Sequence, residues 1–153
     1  MTVFEHRFTL HAPLKVVWEF HSDPAALPDV MPGPMRIRVE SVDRPVAAGS
    51  TFAMRLGFGP LSLRWRLRVI EFSPRARFID EQIGAEGPFK AWRHEHAFEA
   101  RSASETLVID RITYQPPLGL LGRLGDALIG RAVMNLMFAG RRRETRKRLE
   151  HDA

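Results

Sequence analysis

The amino-acid sequence predicts an α+β fold in which one antiparallel sheet of seven strands packs on a long C-terminal helix. Three observations carry this prediction: stretches with apolar residues at every second position, turn-forming residues between them, and an apolar period of three to four residues after Pro117. The apolar face of such a sheet must be covered, and the C-terminal helix is the longest element available. A sheet that curves around this helix leaves a hollow between the two.

The first part of the chain predicts one strand followed by two short helices. Residues 2–11 alternate, with Phe4 and Phe8 on the same side as His6. Pro13 suits the first turn of a short helix, because proline is tolerated there. A second short helix is predicted from Ala25 to about Asp29, after Ser22, Asp23 and Pro24.

Six further strands are separated by short segments rich in glycine, proline or serine. They are predicted at residues 35–42, 49–58, 61–72, 77–83, 89–100 and 106–115. The alternation is cleanest in the strand 61–72, where apolar residues face one way and Ser62 and three arginines face the other. Pro116 and Pro117 end the sheet, because proline donates no hydrogen bond to a strand ladder.

From Leu118 the apolar period becomes helical. A stripe at steps of three and four is formed by Leu121, Leu124, Leu128, Ala132, Leu136 and Ala139. The helix is predicted to run to about Leu149, with a kink near Gly130. We expect the leucines of this stripe to face the sheet.

Length and composition indicate one globular domain over residues 1–153. The chain has no cysteine, which excludes disulfide frameworks, thiolate zinc sites, iron–sulfur clusters and cysteine nucleophiles. No apolar run approaches the roughly 20 residues of a membrane span, and the N-terminal residues lack a signal-peptide pattern. We therefore expect a cytoplasmic protein.

The net charge of +5 comes mostly from the C-terminal end. Residues 131–153 hold seven basic and three acidic side chains, which leaves a surplus of +4. One interpretation is that cations near the end of a helix complement its dipole. The alternative is a weak contact of this Arg-rich end with an anionic membrane or an acidic partner. Nucleic-acid binding is disfavoured, because the basic end has no aromatic platform or recognition motif.

Three local patterns stand out: Ala12–Phe20 with Asp23-Pro24 and Leu27-Pro28, then Gly87–Phe98, then Asp110–Tyr114 with Pro117 and Gly119–Gly122. Together with the order of elements, these patterns resemble the START-like, polyketide-cyclase-related (SRPBCC) superfamily. They are similar to a bacterial ligand-binding subgroup, some members of which are fused to nucleotide-sugar epimerase-like domains. The resemblance implies a helix-grip fold, in which the curved sheet wraps around the long helix. The resemblance indicates the activity less specifically than the fold, because this superfamily includes carriers, receptors, cyclases and chaperone cofactors.

The alternation of the strands predicts which side chains face the hollow. The expected polar belt consists of Asp80, His94, His96, Asp110 and Tyr114, set among Phe78, Trp92, Phe98 and Ile112. The expected apolar wall consists of Phe52, Met54, Leu56, Leu61, Leu63, Trp65 and Leu67 from the sheet and Leu121, Leu124 and Leu128 from the helix. The turns predict that Phe98 lies opposite Thr106, His96 opposite Val108, and His94 opposite Asp110. They likewise predict Asp80 opposite Trp92 and Phe78 opposite His94.

These residues favour a protein that binds a lipophilic small molecule between the sheet and the helix. The polar belt would orient the ligand, while Trp65, Trp92 and the helix leucines contact its apolar body. A structural role alone, as a cross-strand hydrogen-bonded pair, is the competing interpretation for each polar residue.

A second function remains open: a cyclase or dehydratase acting on a polyketide-like substrate. There His94 paired with Asp110 is the candidate base and Tyr114 a further catalytic candidate. His94 and His96 share one face of a strand, a weak metal-binding pattern that Asp110 could complete, but we expect neither a metal nor a cofactor.

Overall fold

The computed structural model describes residues 1–31 and 33–150. The strands are β1 (Thr2–Leu10), β2 (Met35–Val42), β3 (Thr51–Phe58), β4 (Leu61–Ser73), β5 (Arg77–Gln82), β6 (Ala91–Ala100) and β7 (Thr106–Gln115). The helices are α1 (Leu14–His21), a 3₁₀ helix (Pro24–Val30), α2 (Gly119–Gly125) and α3 (Arg131–Leu149). A π-turn, Asp126–Gly130, joins α2 to α3.

All seven strands form one antiparallel sheet in the order β1-β7-β6-β5-β4-β3-β2. Neighbours in the sheet are consecutive in sequence except at β1, which pairs with the last strand, so that Thr2 lies opposite Tyr114. The α+β fold with a seven-stranded sheet and a long C-terminal helix is therefore confirmed.

The predicted strand registers are wrong by two residues. His94 lies opposite Ile112 and His96 opposite Asp110, where the turn positions had predicted Asp110 and Val108. Asp80 likewise lies opposite His94 and not opposite Trp92. Turn residues locate a hairpin without fixing its length, and an even error leaves each side chain on its predicted face.

The remaining predicted pairs shift in the same way. Phe78 lies opposite His96 and not opposite His94. Phe98 lies opposite Val108, and Thr106 lies opposite Ala100.

The C-terminal helix presents a different face to the sheet from the one predicted. The π-turn interrupts the helix at the position near Gly130 where the kink was predicted, and its Asp126 accepts hydrogen bonds from Tyr114 and Thr2. With Asp126 held in this way, Met134 and Phe138 lie on the buried face of α3. The prediction that the stripe of Leu121, Leu124 and Leu128 lines the hollow is wrong, since all three are exposed.

Two apolar clusters fill the interior. One joins the sheet to α3 and includes Phe4, Leu67, Ile112 and Phe138. The other lies under α1 and includes Leu10, Val17, Trp18, Phe78, Phe98 and Val108. Leu61 and Leu63, predicted as part of the wall, are exposed because the β3–β4 hairpin extends past the helix-covered part of the sheet. None of the helices described is long and apolar enough to cross a membrane.

Candidate functional site

A cavity of about 270 Å³ lies between the sheet, the 3₁₀ helix and α3. Its lining is mainly apolar and includes Leu27 and Val30 from the 3₁₀ helix, Met31 directly after it, Ile37, Phe52, Met54, Trp65, Leu67, Val69 and Trp92 from the sheet, and Val133, Met134 and Met137 from α3. The alternation of the strands puts the sheet residues on one face, and the helix covers them. The site therefore has the apolar character of a small-molecule pocket.

One end of the cavity wall is polar. Asp80 on β5 and His94 and His96 on β6 are buried and line the cavity. The Nε2 atom of His96 lies 3.0 Å from Asp80 Oδ2. Neighbouring strands bring these side chains together, because Asp80 lies directly opposite His94 in the sheet.

Asp110 lies behind the two imidazoles, on β7, and is not among the cavity-lining residues. The Nε2 atom of His94 lies 2.9 Å from Asp110 Oδ1. The Nδ1 atom of His96 lies 3.3 Å from the same oxygen. Asp110 therefore contacts both rings, whose centroids are only 3.6 Å apart. The four side chains form one buried network with His96 at its centre.

The network moves the pKa values of its members in different directions. Burial and the adjacent His96 lower the pKa of His94 to about 4. Burial would lower the pKa of His96 too, but contacts with Asp110 and Asp80 raise it above its ordinary value. Burial alone would raise the pKa of Asp110, but the two histidines bring it well below its usual range. At neutral pH, His94 is thus an uncharged ring whose Nε2–H donates to the Asp110 carboxylate.

Three of these side chains have the arrangement that a metal ion requires. One ligand atom from each of Asp80, His94 and His96 lies within 4.8 Å of the others. Two imidazoles and one carboxylate are a ligand set that several transition metals accept. Each of the three also contacts another member of the network, and the Nδ1 atom of His96, 3.3 Å from Asp110 Oδ1, is buried without a hydrogen-bond partner among the described residues.

A second polar feature of the cavity wall belongs to Trp65. The indole Nε1–H of Trp65 is buried and has no hydrogen-bond partner among the described residues. The ring packs against Trp92 and Phe89, with centroids 5.1 Å and 5.9 Å away. An unpaired buried donor costs roughly 1–3 kcal/mol, a cost that a ligand with an acceptor oxygen would remove.

The segment between β5 and β6 holds Pro88 and Phe89 against the cavity. Gln82 anchors this segment, because its Nε2 donates to the carbonyl oxygens of Phe89 at 2.7 Å and Gly84 at 2.9 Å. A side chain at Gly87 would overlap Gln82 and Trp65, so glycine allows the close approach here.

The structure brings only part of the predicted ligand-binding set together. Trp65, Asp80, Trp92, His94 and His96 line the cavity. Five other members of the predicted set, namely Phe98, Asp110, Tyr114, Leu124 and Leu128, are not among the lining residues.

The five have different surroundings. Phe98 packs on Trp18 in the second cluster. Tyr114 is directed to Asp126, whose carboxylate accepts a hydrogen bond from the Tyr114 hydroxyl. Leu124 and Leu128 are exposed, which corrects their predicted contact with ligand.

Several lining residues were not anticipated. His21, Met137 and Arg141 line the cavity, and Arg141 is the one arginine or lysine among the lining residues described. Its guanidinium lies 5.2 Å from the ring centroid of Phe138. The sequence does contain a pattern that predicts this lining. Met134, Met137, Phe138 and Arg141 recur at helical steps and form a second face of the helix, distinct from the leucine stripe.

Much of the basic C-terminal end is paired within the chain. Arg143 and Lys147 contact Glu144 at 3.0 Å and 3.1 Å. Arg148 lies 3.0 Å from Asp29, beside the 3₁₀ helix. Arg146 donates to the carbonyl oxygen of Thr9 at 3.0 Å. These contacts hold the end of α3 against the sheet and the 3₁₀ helix.

Comparison with known families identifies the class of protein that this fold and cavity represent. Residues 10–137 match the model of a family described as polyketide cyclase / dehydrase and lipid transport. The chain belongs to this family, and the resemblance to polyketide-cyclase-related SRPBCC proteins is confirmed. No curated protein sequence matches the chain.

Solved structures agree in fold at low sequence identity. Protein CV1439 from Chromobacterium violaceum is 17% identical, with a TM-score of 0.76 over 97% of this chain and 96% of that one. The aromatase/cyclase Zhui from a Streptomyces species is 16% identical, with a TM-score of 0.65 over 95% and 94%. The di-domain aromatase/cyclase StfQ of the steffimycin biosynthetic pathway is 15% identical, with a TM-score of 0.74 over 98% of this chain and 51% of that one. This chain therefore has the fold of each protein but matches only about half of StfQ.

Proposed function

We propose that this protein binds one lipophilic small molecule in the cavity between the sheet and α3. The observation that carries the proposal is a mainly apolar cavity of about 270 Å³ with a polar network on one wall. Apolar lining with a few placed polar groups is the usual composition of small-molecule sites. The family description, which includes lipid transport, supports the same function.

The size and chemistry of the cavity define the ligand class. At the packing density of protein interiors, about 0.74, the cavity accommodates roughly 200 Å³ of ligand. This volume suits a small aromatic or short-chain molecule better than a two-chain lipid. Polar groups on the ligand would meet Asp80, His94 and His96, and an acceptor oxygen would satisfy the Trp65 indole N–H.

The test is native mass spectrometry of the gently purified protein, followed by titration with named probes. Lauric acid and 1-naphthol are suitable, because both are apolar with one polar end. We expect one molecule of at least one probe per chain. Absence of any bound molecule with both probes would overturn the proposal.

A matched pair of variants locates the bound probe. Met137→Trp fills part of the cavity, while Leu136→Trp adds the same side chain on the exposed face of the same helix. We expect the first variant to lose most of the binding and the second to retain it. Equal binding by both variants would show that the probe lies elsewhere.

A second candidate function is cyclisation or dehydration of a polyketide-like chain. The specific observation in its favour is the buried His94–Asp110 pair beside the cavity, together with the cyclase and dehydrase activities in the family description. In an aldol cyclisation the base takes a proton from a carbon between two carbonyls, that carbon bonds to another carbonyl carbon, and the resulting alkoxide takes up the proton. Dehydration then removes the hydroxyl and a neighbouring proton as water.

The electrostatics favour binding over this chemistry. A pKa of about 4 makes His94 a weak base at neutral pH, whereas general bases work best with a pKa near the operating pH. His94→Asn tests the catalytic role, with a linear poly-β-ketone thioester as the probe. Loss of turnover with retained probe binding would establish catalysis. Equal turnover by wild type and variant would exclude His94 as the base.

A further inference from the structure

The segment 118–136 exposes a continuous set of large apolar side chains, a feature separate from the cavity. We call it the leucine face, and it consists of Leu120, Leu121, Leu124, Leu128, Val133 and Leu136. Their exposed fractions run from 56% at Val133 to 80% at Leu120. Large exposed apolar patches on a folded protein mark interaction surfaces.

The π-turn keeps this face in line along two helices. Leu120, Leu124, Leu128 and Leu136 fall at multiples of four residues, with Ala132 completing the series. In a regular α-helix of 3.6 residues per turn, a four-residue repeat drifts around the axis. The extra residue of the π-turn reverses part of that drift, and π-turns of this kind occur often at functional sites.

The charges beside the leucine face are all of one sign. Arg123 and Arg131, which lie between the leucines in the sequence, make no ion pair within the described residues, unlike most basic side chains nearer the C-terminus. The only carboxylate in residues 116–143 is Asp126, which is engaged by Tyr114 and Thr2. The surface is therefore apolar with unpaired arginines and no free carboxylate.

We propose that the leucine face docks on an anionic lipid surface. Leucines that enter the headgroup boundary and arginines that contact acidic headgroups form the combination by which amphipathic helices bind such membranes. A second copy of this chain fits less well, because a two-fold contact through this face would bring arginines of equal charge together. The proposal goes beyond ligand binding and does not depend on it.

The leucine face adjoins the cavity. Val133 belongs to the face and also lines the cavity. Met137 and Arg141, one and two turns further along α3, line the cavity without belonging to the face. Docking through this face would therefore place the cavity wall formed by α3 beside the lipid. This arrangement suits exchange of an apolar molecule between the membrane and the cavity.

The experiment is flotation of the full chain with vesicles of phosphatidylcholine alone or mixed with phosphatidylglycerol. Wild-type protein should float with the anionic vesicles, and more weakly as salt rises. Leu124→Gln combined with Leu128→Gln should lower the partition coefficient by about tenfold or more, because two leucines lose their burial in lipid. The matched control is Leu61→Gln combined with Leu63→Gln, two exposed leucines at the β3–β4 hairpin, which should float like wild type.

A charge variant separates the two contributions. Arg123→Gln combined with Arg131→Gln should weaken binding to anionic vesicles by about fivefold per arginine and leave binding to neutral vesicles unchanged. Failure of the wild type to float with anionic vesicles would overturn the proposal, as would equal flotation of the leucine variant. A dimer in light scattering that the leucine variant dissociates, without flotation of the wild type, would assign the face to a second copy instead. Met137→Trp should float normally, so that loss of ligand binding is distinguished from loss of docking.

Discussion

The Tyr114 hydroxyl donates a hydrogen bond to Asp126 Oδ1 at 2.5 Å and thereby ties the end of β7 to the π-turn. Thr2 donates to the other carboxylate oxygen at 2.7 Å, from the neighbouring strand β1. Burial and the Asp126 carboxylate raise the pKa of Tyr114, so the phenol stays protonated and remains a donor. These two bonds fix the rotation of the C-terminal helix and so decide which of its apolar faces covers the cavity.

Removing this tie should destabilise the fold. Tyr114→Phe deletes one hydrogen bond to a charged acceptor and should lower the free energy of unfolding by about 1.5–3 kcal/mol, measured by urea denaturation. Thr2→Val should cost less, because Asp126 keeps its bond from Tyr114. Equal stability of Tyr114→Phe and wild type would show that the bond is not needed for helix position.

Two glycines of the same helical segment should respond in opposite ways to alanine. A Cβ at Gly130 would overlap the carboxylate of Asp126, whereas a Cβ at Gly125 meets nothing within 4 Å. Gly130→Ala should therefore disturb the contact of Asp126 with Tyr114 and destabilise by about 1–3 kcal/mol. Gly125→Ala should stabilise by about 0.5–1 kcal/mol, because alanine is the better helix former. Thermal unfolding measures both effects, and a stabilised Gly130→Ala variant would contradict the role given to Asp126.

The buried imidazoles should make stability depend on pH in the acid range. The pKa of His94 is about 4 in the folded protein and about 6.5 in an unfolded chain. The contribution of uncharged His94 to the free energy of unfolding is therefore complete above pH 6.5. That contribution is lost as the pH falls from 6.5 towards 4, because the unfolded chain takes up the proton first. His21, whose pKa burial also lowers to about 4, acts in the same direction. His96 acts in the opposite sense, because its raised pKa gives stability that is present at low pH and lost as the pH rises through that value.

A single substitution tests this dependence. His94→Asn keeps a donor for Asp110 and should reduce, without abolishing, the loss of stability between pH 6.5 and 4. Urea midpoints measured across this pH range give the result. A slope that is the same in His94→Asn and wild type would count against the assigned charge state.

The anchor of the β5–β6 segment should control its mobility. Gln82→Leu removes the bonds to Phe89 and Gly84 and should speed hydrogen exchange of residues 83–90. Gln115→Leu is the matched control, since Gln115 contacts Lys90 through its backbone oxygen and its side chain makes no hydrogen bond within the described residues. If exchange in residues 83–90 is unaffected by Gln82→Leu, the segment is held by Phe89 packing instead.

Strand alternation predicted which side chains share a face, and this holds for Asp80, His94 and His96. Alternation has a period of two, so it survives a register error of two residues. The predicted pairs of opposite residues were wrong, because turn residues mark the position of a hairpin without setting its length. The contact of His94 with Asp110 nevertheless occurs, as a diagonal contact between residues that are not directly opposite each other.

The helix face that covers the cavity could not be predicted from the spacing of apolar residues along the helix. The segment after Leu118 has one apolar stripe with Leu124 and Leu128 and another with Met134 and Phe138. Periodicity does not choose between two apolar stripes. The choice depends on the long-range bonds of Asp126 to Tyr114 and Thr2, which join residues distant in the sequence.

The pairing of β1 with β7 has a consequence for synthesis of the chain. Within the described sheet, the strand formed by residues 2–10 pairs only with residues 106–115, so it stays unpaired until those residues have left the ribosome. The hairpins from β2 to β7 connect nearby residues and form early, whereas closure of the β1 edge waits for a contact of high sequence separation. Until then the alternating apolar side chains of the first strand are available to other unfolded chains. Aggregation of newly made protein is therefore expected to depend on the time between synthesis of the first strand and the last.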